Sequence, residues 1–171
     1  MHAEPIFSHT IEVTLDDIDT LGHASNIAYV RWVQDVAVAH SEAVGLGFPE
    51  YQQLGAVFVV RRHEVDYLRP ALRGDRLEVR TWVASAHAAK CLRMTEVRNA
   101  NTGVVLAKAT TTWGFVDTSK GRPTRIPDAV RVAFLQPPRG RDLGAEGRAR
   151  NGGEATGLER EPTAEISGSE P

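Results

Sequence analysis

The chain has 171 residues, a formal net charge of −2, 42% hydrophobic positions and 25% charged positions. This composition is typical of a globular domain and excludes a collagen-like chain and wholesale disorder. No run of apolar residues approaches the roughly 18–20 that cross a bilayer, so we expect no membrane partner. The first residues lack a basic stretch followed by an apolar one, which predicts an intracellular, cytoplasmic protein. The single cysteine, Cys91, allows no internal disulfide.

The composition changes sharply after Leu135. Residues 136–171 contain 7 of the 15 glycines and 4 of the 9 prolines, but no aromatic residue. Such a segment buries too little apolar surface to offset its ordering entropy. We therefore predict one folded domain over residues 1–135 and a disordered tail over residues 136–171. The predicted domain has 15 basic and 15 acidic residues, and this neutral balance argues against a nucleic-acid partner.

The first half of the predicted domain contains a strand and a long apolar helix. Apolar and polar residues alternate over residues 9–15, which predicts a half-buried strand. A helical pattern follows over residues 26–44, with Ser25 as a plausible N-cap and Gly45, Gly47 and Pro49 as stop signals. Only a narrow stripe of this helix is polar, so we expect other structure to cover most of its circumference, including Ile27.

The second half of the predicted domain consists mainly of strands. Alternating patterns predict strands over residues 56–68, 77–85, 90–99 and 104–117, and we expect a short terminal helix over residues 128–134. The order is therefore one strand, one helix and four strands. An antiparallel sheet curled around the helix, an α+β fold, is the economical way to cover that helix. An open edge of such a sheet favours dimerisation.

The residues with chemical potential lie between the first strand and the helix. Asp19 precedes a turn at Gly22 and His23, and the helix N-terminus follows directly. A carboxylate and an imidazole thus lie near unpaired backbone N–H groups, whose dipole favours developing negative charge. This arrangement suits acyl transfer: the N–H groups polarise a carbonyl while Asp19 attacks the acyl carbon or activates a water.

The sequence resembles the hotdog-fold acyl-CoA thioesterases of the 4-hydroxybenzoyl-CoA thioesterase type and the related acyl-ACP thioesterases. The family motif Asp-x-Asp-x-x-Gly-His-Val-Asn-Asn-x-x-Tyr is matched by Asp17, Asp19, Gly22, His23, Asn26 and Tyr29, with Ala24 and Ser25 as departures. Residues 65–83 and 113–127 are further matches in the expected order and spacing.

The resemblance implies a fold, an activity and roles for individual residues. The fold is a hotdog, a long helix wrapped by an antiparallel sheet, assembled as a homodimer or homotetramer with the active site at the dimer interface. The activity is hydrolysis of an acyl-CoA or acyl-ACP thioester without a cofactor. Asp19 would be the nucleophile or general base, the Asn26 N–H would polarise the thioester carbonyl, and His23 and the Asn26 side chain would orient substrate or water.

Three further residues are candidate substrate contacts. Arg62 and Lys90 would meet the phosphates of coenzyme A, since guanidinium and ammonium groups bind such anions. Tyr29, the last residue of the matched motif, is the third candidate, although its place on the apolar helix favours a packing role in the core. Because the histidines outside the motif are scattered along the chain, we expect no metal site.

Two other classes of function stay open. A hotdog-fold hydratase or dehydratase acting on an acyl thioester uses an Asp and a His, but these usually lie in an Asp-x-Asn-Pro-x-His pattern. Here Asp19 and His23 are four residues apart with no proline between them, which favours hydrolysis. The other class is a non-catalytic protein that binds acyl thioesters. The polar residues at the helix start argue against it, because a purely structural fold does not need them.

Overall fold

The computed structural model describes residues 5–135, so the predicted disordered tail, residues 136–171, lies outside the described part of the chain. A turn of 3-10 helix, Leu15–Asp17, follows the first strand. The elements are β1 (Phe7–Glu12), α1 (Asn26–Ala43), α2 (Phe48–Leu54), β2 (Ala56–Tyr67), β3 (Arg76–His87), β4 (Lys90–Asn99), β5 (Val105–Asp117), β6 (Arg122–Pro123) and α3 (Asp128–Ala133).

The strands form one antiparallel sheet in the order β1-β3-β4-β5-β2, with the two-residue β6 added beside β5. Helix α1 packs against this curled sheet, so the predicted α+β architecture and the hotdog fold are confirmed. Strands β1 and β2 are the edges of the main sheet. Among residues 5–135 there is no helix with both the length and the apolar character needed to cross a membrane.

The core lies between one side of α1 and the inward-facing residues of the strands. Tyr29, Trp32 and Val36 of α1 are at most 4% exposed. They share an apolar cluster with Leu77 and Val79 of β3. Burial alternates along β3 and β4 as the period of a half-buried strand requires. A helix of this length is therefore held mainly by tertiary packing of its apolar face.

The N-cap of α1 is the residue predicted from the sequence, but part of the helix surface that we expected to be covered is exposed. The Ser25 hydroxyl accepts a hydrogen bond from Ala28 N at 3.1 Å, as the N-cap prediction requires. In contrast, Ile27 is 79% exposed and Val38 is 55% exposed. The described chain therefore leaves both side chains uncovered, and the expectation for Ile27 is wrong within one chain.

The end of the first strand and the segment after α1 also differ from the prediction. Strand β1 ends at Glu12 rather than residue 15, because Asp17 accepts hydrogen bonds from the backbone and hydroxyl of Thr14 and folds the chain into the 3-10 turn. Helix α2 is absent from the prediction. Gly45, with φ of +81°, does follow the end of α1, but Gly47 is the N-cap of α2 and Pro49 lies in its first turn. Proline is favoured at that position because the first N–H groups of a helix have no intrahelical acceptor.

Candidate active site

A buried carboxylate anchors the segment that leads into α1. Asp17 is 1% exposed and accepts from Thr14 N at 2.7 Å and from Thr14 Oγ1 at 2.9 Å. The Arg31 guanidinium of α1 donates to its other oxygen. The backbone oxygen of Asp17 accepts from Ser25 N at 2.8 Å. Asp17 therefore ties the end of the 3-10 turn to the first turns of α1.

The residues between Asp17 and Ser25 form a tight loop. Ile18 and Ala24 form an isolated antiparallel bridge, and Asp19 N donates to His23 O at 3.0 Å. Gly22 N donates back to Asp19 O at 3.0 Å. Gly22 has φ of +84°, a backbone conformation that glycine adopts without steric cost. This loop places the side chains of Asp19 and His23 beside each other.

The Asp19 carboxylate is oriented on one side and open on the other. Its Oδ1 accepts a hydrogen bond from Leu21 N at 2.8 Å, and His23 Nδ1 lies 3.8 Å from the same oxygen. Its Oδ2 meets no donor within residues 5–135. The side chains of Asp19 and His23 are 34% and 39% exposed, so a water or substrate molecule reaches both of them.

The start of α1 supplies donors next to this loop. Ser25 caps the N–H of Ala28, whereas the N–H groups of Asn26 and Ile27 precede the first intrahelical hydrogen bond and have no acceptor within residues 5–135. These groups are the positive end of the helix dipole. The Tyr67 hydroxyl at the end of β2 donates to Asn26 O at 3.4 Å. We call Asp19, His23 and Asn26 the helix-start site.

The three candidate substrate contacts lie on three different elements. Tyr29 is 3% exposed, and its hydroxyl donates to Arg69 O at 3.2 Å and accepts from Ala71 N at 3.0 Å. These contacts give Tyr29 a structural role and leave its predicted substrate contact without support. Arg62 is exposed on β2 and pairs with Glu64 at 2.7 Å. Lys90 is exposed at the start of β4, opposite Gly114.

A second region with functional potential is absent from the sequence interpretation. A cavity of about 220 Å³ lies between the C-terminal half of α1, α2 and the start of β2. We call it the distal pocket. It is lined mainly by apolar side chains, with Ser41, Tyr51 and Arg93 among its polar residues. Arg93 lies at an inward-facing position of β4, between Cys91 and Thr95. A charged residue at an inward-facing position of an alternating strand is the one sequence signal that could have indicated this pocket.

The helix-start site and the distal pocket lie at opposite ends of α1. Asn26 begins the helix, and Ser41 of the pocket is fifteen residues further along it. At 1.5 Å per residue, this separation is about 22 Å. Within one chain the pocket therefore does not adjoin the candidate catalytic carboxylate.

Comparison with known proteins agrees with this fold. The chain is 30% identical over 132 residues to a chloroplastic palmitoyl-acyl carrier protein thioesterase of Gossypium hirsutum, covering 74% of this chain and 32% of that protein. It is 29% identical over 131 residues to the acyl-CoA thioesterase YbgC of Haemophilus influenzae, covering 75% of this chain and 93% of that protein. The chain thus spans about a third of the length of the plant relatives that it matches.

Two solved structures show the same fold at low sequence identity. A 1,4-dihydroxy-2-naphthoyl-CoA thioesterase from Synechocystis has a TM-score of 0.70 at 20% identity, covering 75% of this chain and 95% of that chain. A Staphylococcus aureus protein in complex with CoA has a TM-score of 0.71 at 17% identity, covering 78% of this chain and 84% of that chain. The profile of the thioesterase-like superfamily matches residues 13–134, most of the described chain, and the protein belongs to this superfamily.

Proposed function

We propose that the protein hydrolyses an acyl thioester to a free acid and a thiol, with Asp19 as the reacting carboxylate. The observation that carries this proposal is the state of Asp19: one oxygen is oriented by Leu21 N, while the other meets no donor in the described chain. The N-terminus of α1 follows within one short loop. Membership of the thioesterase-like superfamily supports the same chemistry.

The helix-start site offers the groups that thioester hydrolysis needs. The N–H groups of Asn26 and Ile27 bind the carbonyl oxygen and stabilise the negative charge that develops on it. Asp19 then attacks the acyl carbon and displaces the thiolate, and water hydrolyses the resulting mixed anhydride. Alternatively, Asp19 takes a proton from a water that attacks the same carbon. His23 Nδ1, 3.8 Å from Asp19 Oδ1, orients the carboxylate or the water in either route.

We further propose that two copies of the chain form the complete site by pairing their β2 edges. The start of β2 contributes Val57 and Phe58 to the distal pocket, and its end contributes Tyr67, which contacts Asn26. Antiparallel pairing across a two-fold axis places the start of one β2 beside the end of the other. The distal pocket of one copy then adjoins the helix-start site of its partner. Exposed Leu21 and Ile27, beside the helix-start site, support such an assembly.

The proposed carrier of the acyl group is coenzyme A, with acyl carrier protein as the alternative. Residues 1–135 have no excess of basic residues to attract an acidic carrier protein. Arg62 and Lys90 are exposed cations available for the phosphates of coenzyme A, and Lys90 stands near the pocket end of the sheet. The cytoplasm, where coenzyme A thioesters occur, is the location that goes with this proposal.

The test is release of free thiol from short, medium, long and aromatic acyl-CoA thioesters by the wild type, Asp19→Asn and Asp16→Asn. The Asp16 side chain is exposed three residues before Asp19, so Asp16→Asn controls for the loss of one surface charge. We expect Asp19→Asn to lose about 100-fold or more in kcat and Asp16→Asn to retain the wild-type rate. Near wild-type turnover by Asp19→Asn would remove Asp19 from the mechanism. Binding of acyl-CoA without thiol release would instead identify a non-catalytic binding protein, and hydration of an enoyl-CoA would identify a hydratase.

A further inference from the structure

The distal pocket is mainly apolar, and Arg93 is the buried charged residue of its lining, whereas the other charged residue, Glu42, is exposed. Val38 and Phe48 are exposed at its rim, and Val57, Phe58, Trp113 and Phe134 line it. Arg93 belongs to the same lining, although it is only 5% exposed. A pocket for a purely apolar ligand needs no such group, and burying a cation carries a large desolvation cost.

Within residues 5–135, Arg93 makes no ion pair. Its Nη1 donates to His40 Nδ1 at 2.9 Å and to Thr81 Oγ1 at 3.2 Å, and its guanidinium carbon lies 5.3 Å from the centre of the Phe134 ring. These contacts hold the guanidinium in place without neutralising it. Its Nε and Nη2 have no acceptor in the described chain. Glu42, the carboxylate of the pocket lining, is exposed and does not pair with Arg93.

The neighbouring polar groups leave the cation without compensation. Burial and the Arg93 charge lower the pKa of His40 to about 3, so His40 is a neutral acceptor at physiological pH. Burial raises the pKa of the Cys91 thiol to about 11, which keeps it uncharged. The indole N–H of Trp113 also lacks an acceptor within the described residues. The Ser41 hydroxyl donates to Leu46 O at 2.8 Å and lies 2.8 Å from the Tyr51 hydroxyl. This pair supplies no charge.

We propose that the distal pocket binds the far end of an acyl group that carries a carboxylate, and that Arg93 pairs with this carboxylate. The inference rests on the proposed thioesterase function and on the proposed pairing of two copies, which brings the pocket of one copy to Asp19 of its partner. It names the substrate class: thioesters of dicarboxylic acids. An anion satisfies the free guanidinium donors and cancels the buried charge, which an unsubstituted acyl chain leaves unpaired. The cavity volume of about 220 Å³ is below the roughly 300–1,000 Å³ of common ligand sites, so the acyl group is short.

The test compares pairs of acyl-CoA substrates that match in chain length and differ at the far end. Glutaryl-CoA is compared with pentanoyl-CoA, and adipoyl-CoA with hexanoyl-CoA and 6-hydroxyhexanoyl-CoA. We expect the wild type to prefer the carboxylated member in kcat/KM by about 10-fold or more, because charge-assisted hydrogen bonds contribute most when desolvated. Arg93→Met should abolish or reverse this ratio, whereas Arg73→Met and Lys120→Met, which remove exposed cations outside the proposed sites, should leave it unchanged.

A binding measurement separates this inference from the proposed function. Calorimetric titration with free adipate and with hexanoate measures binding to the pocket without any turnover. Both the wild type and Asp19→Asn should bind adipate at least about 10-fold more tightly than hexanoate. If Arg93→Met fails to fold, Arg93→Lys, which keeps the charge but loses the planar donors, should bind adipate more weakly than the wild type does. Absence of thiol release with tight adipate binding would contradict the proposed function alone. The inference would be overturned if adipate and hexanoate bound equally well, or if the wild type preferred the hydroxyl or unsubstituted chain. An unchanged kcat/KM ratio in Arg93→Met would overturn it as well.

Discussion

Arg93 donates from Nη1 to Nδ1 of His40 across 2.9 Å, and this bond joins β4 to the C-terminal half of α1. His40 is fully buried and Arg93 nearly so. Because Nδ1 accepts from a guanidinium, the His40 ring is neutral with its proton on Nε2. The Phe7 ring stacks on His40 with a centroid distance of 5.2 Å. The Phe134 ring packs edge-on against the same histidine, and no carboxylate pairs with His40 within residues 5–135.

This pairing predicts an acid-sensitive fold. Burial and Arg93 lower the pKa of His40 from 6.5 in the unfolded chain to about 3 in the folded chain. Between these values the unfolded state binds a proton that the folded state does not, so the free energy of unfolding falls as the pH is lowered. His40 should contribute a slope of up to about 1.4 kcal/mol per pH unit.

Urea unfolding between pH 3.5 and 7.5 measures this slope. His40→Gln removes the titrating group and should make the pH dependence shallower, whereas replacement of the exposed His87 by Gln serves as the control. In the wild type, NMR of the His40 ring should show the neutral form down to about pH 4. A His40 ring that protonates near its ordinary pKa would contradict this prediction.

The three aspartates before α1 should separate into distinct classes. Asp17 is buried, accepts two hydrogen bonds from Thr14 and pairs with Arg31. Asp17→Asn retains the volume but cannot accept from all these donors, so we expect it to lower the free energy of unfolding by about 2–4 kcal/mol. Asp16→Asn should change it by less than about 0.5 kcal/mol. Chemical denaturation of both variants beside Asp19→Asn tests this assignment, and a stable Asp17→Asn variant would contradict it.

The two tyrosines near the helix-start site should also differ. The Tyr29 hydroxyl bridges Arg69 O and Ala71 N, and Ala71 is completely buried. Tyr29→Phe leaves that N–H without an acceptor and should cost about 1–3 kcal/mol of stability. Tyr67→Phe loses only a long hydrogen bond of 3.4 Å from a 43% exposed residue and should cost less than about 0.5 kcal/mol. A change in KM for Tyr29→Phe without a loss in Tm would favour the substrate contact instead.

Mixed dimers test whether the active site is shared between two copies. One parent carries Asp19→Asn, and the other carries Val38→Trp, which places a large ring at the rim of the distal pocket. Each parent alone should have background turnover. A mixed dimer keeps one complete site, formed by the intact Asp19 of one copy and the open pocket of the other. With random assortment, turnover should recover to about a quarter of the wild-type value.

Two controls accompany the mixing experiment. Sedimentation of each parent should show the same dimeric or tetrameric assembly as the wild type. A mixture of Asp19→Asn with a second inactive helix-start variant, Asn26→Pro, should stay at background because neither copy then supplies a working carboxylate and helix start together. Mass spectrometry should demonstrate that the subunits exchange. If they do and the mixture of Asp19→Asn with Val38→Trp still recovers no turnover, the site lies within one chain.

The sequence determined the elements whose signals are local. The alternation in β3 and β4, the Ser25 cap and the apolar face of α1 all follow from side-chain periodicity and backbone chemistry within a few residues. The missed helix α2 shows the limit of that approach, because Gly47 and Pro49 serve equally well as a helix end or a helix start. Only the path of the backbone after Gly45 shows that Gly47 and Pro49 begin α2 rather than end α1.

Tertiary structure decided which side chains contact each other and which of them are buried. Asp17 and Asp19 are both aspartates in the same motif, yet one is buried against Arg31 and the other has an open oxygen, because only the folded helix brings Arg31 to Asp17. Arg93 and His40 are fifty-three residues apart in the chain, and their contact depends on how α1 lies across β4. Burial and long-range pairing arise from the packing of whole elements. The sequence therefore determined the fold and the candidate nucleophile, whereas the charged pocket became visible only in three dimensions.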